Sequence, residues 1–240
     1  MKENNYLELI KNANVYAVAK KSSLDHAVLI SSKLNNTVLL KREDKQRTFS
    51  FKVRGAFNKI NQLSAKELEN GVICSSAGNH AQGVALASKI NKNSAKVVMP
   101  ITSPSIKIDA VKSLGAEVIL HGDNYDEAFT KAKEIEKKES SVFIHPFDDP
   151  YVIAGQGTIA KEIIEEFEGD LDAIFVPIGG GGLISGIASY VKESGKNIKI
   201  IGVEPEDSAS MKLALKAGKP VTLDHVGIFA DGVAVRKVGE

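Results

Sequence analysis

Ala173-Ile174-Phe175-Val176-Pro177-Ile178-Gly179-Gly180-Gly181-Gly182-Leu183-Ile184-Ser185-Gly186 joins an apolar run to a glycine run and then to a second apolar run. This order predicts a strand, a turn and a helix. Glycines at a strand-to-helix junction let backbone N–H groups approach an anion, and the helix N-terminus adds its positive dipole end. The stretch therefore predicts a phosphate-binding turn, with a merely flexible turn as the alternative.

The same region is free of charged residues from 173 to 191, which is long enough to cross a bilayer. Pro177 and the glycines argue against such a span, because a helix interior loses about 1 kcal/mol per Gly and about 3 kcal/mol per Pro. We expect no membrane-spanning segment.

Strand-like runs alternate with helical patterns on both sides of this stretch. The predicted strands are 72–74, 96–99, 117–120, 142–144, 173–176 and 198–203, and the predicted helices are 81–90, 105–114, 125–138, 158–167 and 183–192. Such alternation indicates βαβ units, an α/β fold and parallel sheets with ligands at the carboxyl ends of the strands. The turn-rich segment His145 to Pro150 is the best candidate for a crossing between two lobes. We expect the helix-rich opening, Tyr6 to Leu34, to pack on the later lobe.

Composition narrows the class of partner. The 240 residues include 31 Lys plus Arg and 30 Asp plus Glu, a net charge of +1, which offers no electrostatic footprint for nucleic acid. Cys74 is the single cysteine, so no intrachain disulfide can form. The first residues lack the apolar stretch of a signal peptide. We expect a cytoplasmic protein that binds a small ligand.

A second segment, Thr48 to Asn58, sets a lysine among apolar neighbours. Lys52 lies between Phe51 and Val53, where burial would favour the neutral amine and make it nucleophilic toward an aldehyde. We expect the positive charge of Arg54 to favour the neutral amine as well, because like charges repel. Judged by residue type alone, a lysine is more often a solvated surface charge.

The third segment runs from Cys74 to Gly83, again from a strand into a helix. Its small residues, hydroxyls and amide can offer donors to a carboxylate or a phenolic oxygen. An ordinary N-capped helix is the alternative, and His80 is more often a structural histidine than a base.

The three segments supply complementary parts. Pyridoxal 5'-phosphate presents an aldehyde, a phosphate and a ring hydroxyl, and its amino-acid substrates bring a carboxylate. A nicotinamide dehydrogenase is the alternative, since Gly180, Gly182, Gly186 and a later Glu204 approach a dinucleotide fingerprint, but that interpretation leaves the other two segments unused. A Walker loop is excluded, because no Gly-Lys-Ser/Thr follows.

The chain resembles the fold type II pyridoxal phosphate enzymes of the tryptophan synthase β-like family, and within them the biosynthetic threonine dehydratases. The motifs that carry the resemblance are Leu40–Asp44, Ser50–Ala56, Ser76–Gly83, Gly155–Thr158, Pro177–Leu183, Val203–Ser208 and Phe229–Val235. They follow one another in order over nearly the whole chain. The resemblance implies a two-lobed enzyme with parallel-rich twisted sheets.

The resemblance also implies roles for particular residues. Lys52 would be joined covalently to the cofactor and act as the catalytic base. The other implied cofactor-binding residues are Phe51, Asn79, Gly179, Gly180, Gly181, Gly182, Leu183 and Gly232, and the implied substrate-binding residues are Ser76, Ala77, Gly78, Asn79 and His80. The implied reaction is β-elimination of L-threonine, and of L-serine as a second substrate, to 2-oxobutanoate and ammonia in isoleucine biosynthesis.

The sequence differs from some related enzymes at two positions that matter for function. Related serine racemases carry a serine at the position of Ala77, which favours elimination over racemisation here. Some relatives bind a divalent cation through a Glu and an Asp at Glu204 and Ser210, and because Ser210 has no carboxylate we expect no metal site.

The resemblance implies a division into lobes. Residues 1–53 and 148–240 would form a large cofactor-binding lobe that is incomplete at its C-terminus, and residues 54–147 a small lobe, with no regulatory domain. Family members are commonly dimers or tetramers, so a homo-oligomer is expected. The alternatives are a serine racemase or serine dehydratase relative, and an inactive fragment that binds the cofactor.

Overall fold

The computed structural model describes residues 5–227 and 229–240. Its helices are α1 Tyr6–Lys11, α2 Val28–Leu34, α3 Lys52–Ile60, α4 Ala65–Leu68, α5 Asn79–Asn91, α6 Ser105–Ser113, α7 Tyr125–Glu139, α8 Pro150–Glu166, α9 Gly182–Glu193 and α10 Ser210–Ala217. Its strands are β1 Leu24–His26, β2 Leu39–Lys41, β3 Val72–Ser75, β4 Ala95–Met99, β5 Glu117–Leu120, β6 Val142–Phe143, β7 Ala173–Pro177 and β8 Lys199–Val203. Short 3-10 helices occupy Glu43–Lys45, Glu206–Ser208 and Asp231–Val233.

The strands form three sheets, and the two later ones are parallel. Strands β3 to β6 make a four-stranded sheet in the order β5-β4-β3-β6, and β7 pairs with β8. This arrangement confirms the predicted α/β class. Strands β1 and β2 pair antiparallel. Strand β2 overlaps the segment Thr37–Leu40, which the sequence pattern predicts as strand-like, whereas β1 lies within the opening that is predicted as helix-rich.

The four-stranded sheet carries buried apolar residues on both faces. Val72, Cys74 and Val97 pack with α3 and α5, whereas Ile73 and Val98 pack against Ala128, Ala132 and Ile135 of α7. A parallel sheet covered on both faces needs such runs. Strands β7 and β8 bury one face against α8 and α9, and Phe175 and Val203 point to the exposed face.

Helix α8 begins at Pro150, well before the predicted start at residue 158. Asp149 caps it by accepting hydrogen bonds from the backbone N–H groups of Tyr151 and Val152, and proline suits its first position. Gly155 and Gly157 lower the local helix propensity, which is why the sequence pattern missed this first half. Both glycines lie at helix contacts. A Cβ on Gly155 would come within 2.7 Å of the carbonyl oxygen of Arg54.

The opening segment divides between two neighbours. Helix α1 packs against α8 and α9, in the direction expected for it, and Ile10 contacts Gly157. Val15, Val18 and Ala19 instead join the core that α3 and α5 share with the four-stranded sheet. The boundaries of the two lobes stay a prediction.

Among the helices described, none is both long enough and apolar enough to cross a membrane.

Candidate active site

A cavity of about 1230 Å³ lies where the carboxyl ends of β3 and β7 face each other. Ligand sites in open α/β sheets form at such strand ends. The cavity brings together every residue to which the sequence assigns a site role: Phe51, Lys52, Ser76, Ala77, Gly78, Asn79, His80, Gly179, Gly180, Gly181, Gly182, Leu183 and Gly232. Their individual roles stay predictions.

The glycine turn between β7 and α9 is shaped for backbone contact with a ligand. Gly181 has a φ of +102°, a conformation that favours glycine, and it precedes α9 without a side-chain cap. Gly180 and Gly182 lie against Phe147, and a Cβ on Gly180 would come within 2.2 Å of the Phe147 ring. The first N–H groups of α9 have no intrahelical partner by geometry, so the turn offers donors and a positive dipole end to an anion.

Lys52 begins α3 and reaches into the cavity. Its Nζ donates a hydrogen bond to the carbonyl oxygen of Pro146 at 2.9 Å and lies 5.4 Å from the centroid of the Phe51 ring. Burial lowers the pKa of Lys52 from 10.5 to about 8. A larger share of this amine is therefore neutral near pH 7 than for an exposed lysine, as nucleophilic attack requires.

The prediction that the positive charge of Arg54 helps to lower the pKa of Lys52 is wrong. The side chain of Arg54 turns into the protein, where its guanidinium pairs with the carboxylates of Glu43 and Glu162 at 2.8 and 2.6 Å. Burial alone accounts for the lowered pKa of Lys52. Sequence adjacency misled here because side chains two positions apart on a helix point in different directions.

The loop between β3 and α5 presents small and polar groups to the same cavity. The Oγ of Ser76 accepts the backbone N–H of Gly78 at 3.1 Å, and Asn79 is the first, exposed residue of α5. The ring of His80 is buried, and its Nε2 lies 2.9 Å from the carbonyl oxygen of Ile144. Burial lowers the pKa of His80 to about 3, so the ring is neutral and Nε2 donates.

Further cavity residues had no assigned role at the sequence level. They are Ser75, Tyr125, Pro146, Phe147 and Gln156, among others. Within the described part of the chain, Ser75 Oγ and Gln156 Nε2 are buried and have no hydrogen-bond partner. Tyr125 follows β5 at the start of α7, so its place at a strand-to-helix junction is the signal that could have found it.

Pyridoxal phosphate fits these residues. The glycine turn leaves room and donors for a phosphate, and the Lys52 amine would be available to an aldehyde. A Cβ on Gly232 would meet nothing within 4 Å, so open space lies beside this residue for a flat ring. The orphaned Oγ of Ser75 and Nε2 of Gln156 are polar groups of a kind that a ligand commonly satisfies.

The carboxylate of Glu204 has a structural partner. It accepts the backbone N–H groups of Met211 and Lys212 at 2.8 and 2.9 Å, at the start of α10. Ser210 is buried beside them. The expectation that no metal binds here stays a prediction.

Known proteins with similar sequences and structures point the same way. Residues 20–240 match the family model described as pyridoxal-phosphate dependent enzyme. The biosynthetic L-threonine dehydratase of Burkholderia multivorans is 51% identical over 100% of this chain and 48% of its own length.

Two solved structures extend the comparison. The processed form of threonine deaminase isoform 2 from Solanum lycopersicum is 54% identical, with a TM-score of 0.95 over 98% of this chain and 68% of its own. Maize serine racemase is 32% identical, with a TM-score of 0.93 over 97% of this chain and 71% of its own.

The chain spans about half the length of the bacterial relative that it matches. The family match nevertheless covers most of the chain and includes the lysine, the polar loop and the glycine turn. The chain belongs to the family of pyridoxal-phosphate dependent enzymes.

Proposed function

We propose that the chain carries the active site of a threonine dehydratase, which converts L-threonine to 2-oxobutanoate and ammonia in isoleucine biosynthesis and takes L-serine as a slower substrate. The observation that carries the proposal is one cavity that holds both a lysine amine with a lowered pKa and a glycine turn whose backbone N–H groups can bind an anion. The identity of 51% with a biosynthetic dehydratase, against 32% with a racemase, favours this activity.

The proposed cofactor contacts are those that the family resemblance implies, and they are supported by the position of these residues around one cavity. The N–H groups of the turn Gly179–Gly182, with Leu183 at its end, would hold the phosphate, and Asn79 would donate to the ring hydroxyl. Phe51 and Gly232 would lie on opposite sides of the ring. Pyridoxal phosphate, bound through its aldehyde, would spread the negative charge left on Cα when a proton is removed.

The substrate contacts use the loop after β3. Ser76, Gly78 and the start of α5 would orient the substrate carboxylate, because helix N-terminal N–H groups favour an anion. Lys52 Nζ, once free and neutral, would take the proton from Cα. The Cβ–O bond would then break, and the leaving hydroxide would become water by taking up a proton, which balances the proton that Lys52 removed from Cα. Hydrolysis of the released enamine yields 2-oxobutanoate and ammonia.

A serine racemase is the second candidate, favoured by the fold match to the maize enzyme. Racemisation needs an acid on the face of Cα opposite the lysine, and the methyl group of Ala77 cannot supply a proton. The third candidate is an inactive fragment that binds the cofactor. Chiral analysis of the product separates the first two, since elimination yields 2-oxobutanoate and racemisation yields the D-amino acid.

The test is to trap the cofactor on the protein. Incubation with pyridoxal phosphate, borohydride reduction and peptide mass analysis should place the label on Lys52, and prior addition of L-threonine should displace it. Lys52→Arg should lose this label, whereas Lys196→Arg, at an exposed position, should keep it. Label spread evenly over surface lysines would contradict the proposed site.

Location and assembly are proposals as well. We propose a cytoplasmic protein, supported by a single cysteine, Cys74, that is buried and free of disulfide. We also propose a homo-oligomer, a dimer or tetramer, supported by the family resemblance. Light scattering after size exclusion would give the oligomeric state.

A further inference from the structure

The segment that leads into Lys52 has a strained backbone. Phe49 has a φ of +54°, a conformation that bulky side chains rarely adopt, and its side chain is 76% exposed. Its own burial therefore does not hold the bend. Backbone outliers of this kind persist where the surrounding structure holds them, and they cluster at functional sites.

Both ends of the bend converge on one carboxylate. At the first end, Gln46 Nε2 donates to the carboxylate of Glu43, 3.3 Å from each oxygen. The backbone carbonyl oxygen of Gln46 accepts the N–H of Phe49 at 2.9 Å. At the second end, Arg54 donates to the same carboxylate through Nε and Nη2, both at 2.8 Å. Lys52 lies between these two attachments.

Arg54 is itself fixed on its other side. Its Nη1 and Nη2 donate to the two oxygens of Glu162 on α8 at 2.6 and 3.0 Å, and Nη1 also donates to Thr158 at 3.1 Å. Lys41 Nζ pairs with Glu162 at 3.0 Å. Arg54 and Glu162 are fully buried, so water does not compete for these contacts.

Buried ion pairs are a poor source of stability, because desolvation of the charges offsets most of their attraction. A planar guanidinium that forms paired hydrogen bonds with two carboxylates instead fixes the orientation of its side chain, because such paired contacts require a defined geometry. Arg54 lies two residues after Lys52, so its contacts fix the direction of the first turn of α3, in which both residues lie.

We propose that Glu43, Gln46 and Arg54 are positioning residues that hold the strained bend before α3 and so keep the Lys52 amine inside the cavity, against the carbonyl oxygen of Pro146. The proposal rests on the proposed function of Lys52. It assigns to this cluster a task in setting the protonation and access of the reactive amine, in addition to holding the helices together.

The test measures Lys52 without any cofactor. Acetic anhydride modifies neutral amines, so the extent of Lys52 acetylation against pH, read by peptide mass, reports the midpoint and the accessibility of this amine. Glu43→Gln and Gln46→Met each remove contacts that hold the bend. In both variants the pH midpoint of Lys52 acetylation should rise by about one unit or more toward that of exposed lysines. Ile135→Val, on the buried face of α7, is the control for lost stability.

A purely structural cluster would lower the melting temperature of both variants and leave the Lys52 midpoint where it is in the parent and in Ile135→Val. That result would overturn the proposal. Arg54→Lys keeps the charge without the fork and should also raise the midpoint, which provides a third readout if Glu43→Gln folds poorly. Borohydride trapping with pyridoxal phosphate on the parent tests the proposed function separately, because the acetylation profile does not depend on it.

Discussion

The lysine at position 52 combines a reactive group with an unfavourable burial. Burial lowers its pKa from 10.5 to about 8, and its one hydrogen bond goes to the carbonyl oxygen of Pro146. Between pH 8 and pH 10.5, Lys52 carries a proton in the unfolded chain but not in the folded chain. The free energy of unfolding therefore rises with pH across this window, and the cost of burying the amine is fully present below pH 8.

Lys52→Met should stabilise the cofactor-free protein at neutral pH. We expect a gain of about 1 to 3 kcal/mol in the free energy of unfolding at pH 7, which shrinks toward zero near pH 10.5. Urea unfolding followed by far-ultraviolet circular dichroism suits a chain without tryptophan. Lys196→Met, at an exposed position, should show no such gain, and an equal gain in both variants would contradict the burial argument.

Two glycines of the cavity should respond differently to substitution by alanine. Gly180→Ala would drive a Cβ into the Phe147 ring, so we expect a loss of about 1 to 3 kcal/mol in stability. Gly232→Ala meets nothing within 4 Å and should change stability by no more than about 0.5 kcal/mol while weakening cofactor capture. Unfolding curves and borohydride trapping together check both statements. Full cofactor capture by Gly232→Ala would show that the ring does not lie there.

At the scale of elements, helix α8 shows where local patterns fail. Its start is set by the Asp149 cap and Pro150, signals that are visible in the sequence, yet Gly155 and Gly157 hid the helix that follows. Those glycines are explained by contacts with α3 and α9, because a Cβ on Gly157 would come within 3.0 Å of the Gly186 carbonyl oxygen. At these two positions, close packing between helices requires glycine despite its low helix propensity.

Asp149 should stabilise the start of α8 mainly through its cap. Its Oδ1 accepts two backbone N–H groups, and its Oδ2 lies 2.8 Å from Lys59 Nζ on α3. Asp149→Ala should lose about 1 to 2 kcal/mol of stability, whereas Asp149→Asn keeps the cap and should lose less than about 1 kcal/mol. Urea unfolding measures both, and equal losses would mean that the ion pair matters more than the cap.

At the scale of the whole molecule, a strap made of residues 222–227 and 229–237 lines part of the cavity through residues 222, 224–226 and 231–237. Two ion pairs join it to helices of the predicted small lobe. Arg236 pairs with Asp126 of α7 at 2.6 Å, and Lys107 of α6 pairs with Asp231 at 2.8 Å. These side chains are largely exposed, so salt should weaken their attraction.

The Asp126–Arg236 pair should hold the strap weakly and in a salt-dependent way. A double-mutant cycle with Asp126→Asn and Arg236→Gln should give a coupling of about 0.2 to 1 kcal/mol at low salt and less at 1 M salt. Hydrogen exchange of the Leu223 amide reports it, because this N–H donates to the carbonyl oxygen of Arg236. Lys131→Gln, which breaks a pair within α7, should leave Leu223 exchange unchanged.

The amino-acid pattern alone predicted the α/β class, the approximate bounds of six strands and of helices α5, α6, α7 and α9, and the three segments that meet in the cavity. These features depend on side-chain periodicity and on the backbone freedom of glycine, which act over a few neighbouring residues. The tertiary structure alone decided that Arg54 turns away from Lys52, that α8 begins at Pro150, and that Glu43 holds both ends of the bend before α3. Those outcomes depend on which distant segments pack together, and short-range patterns carry no record of such partners.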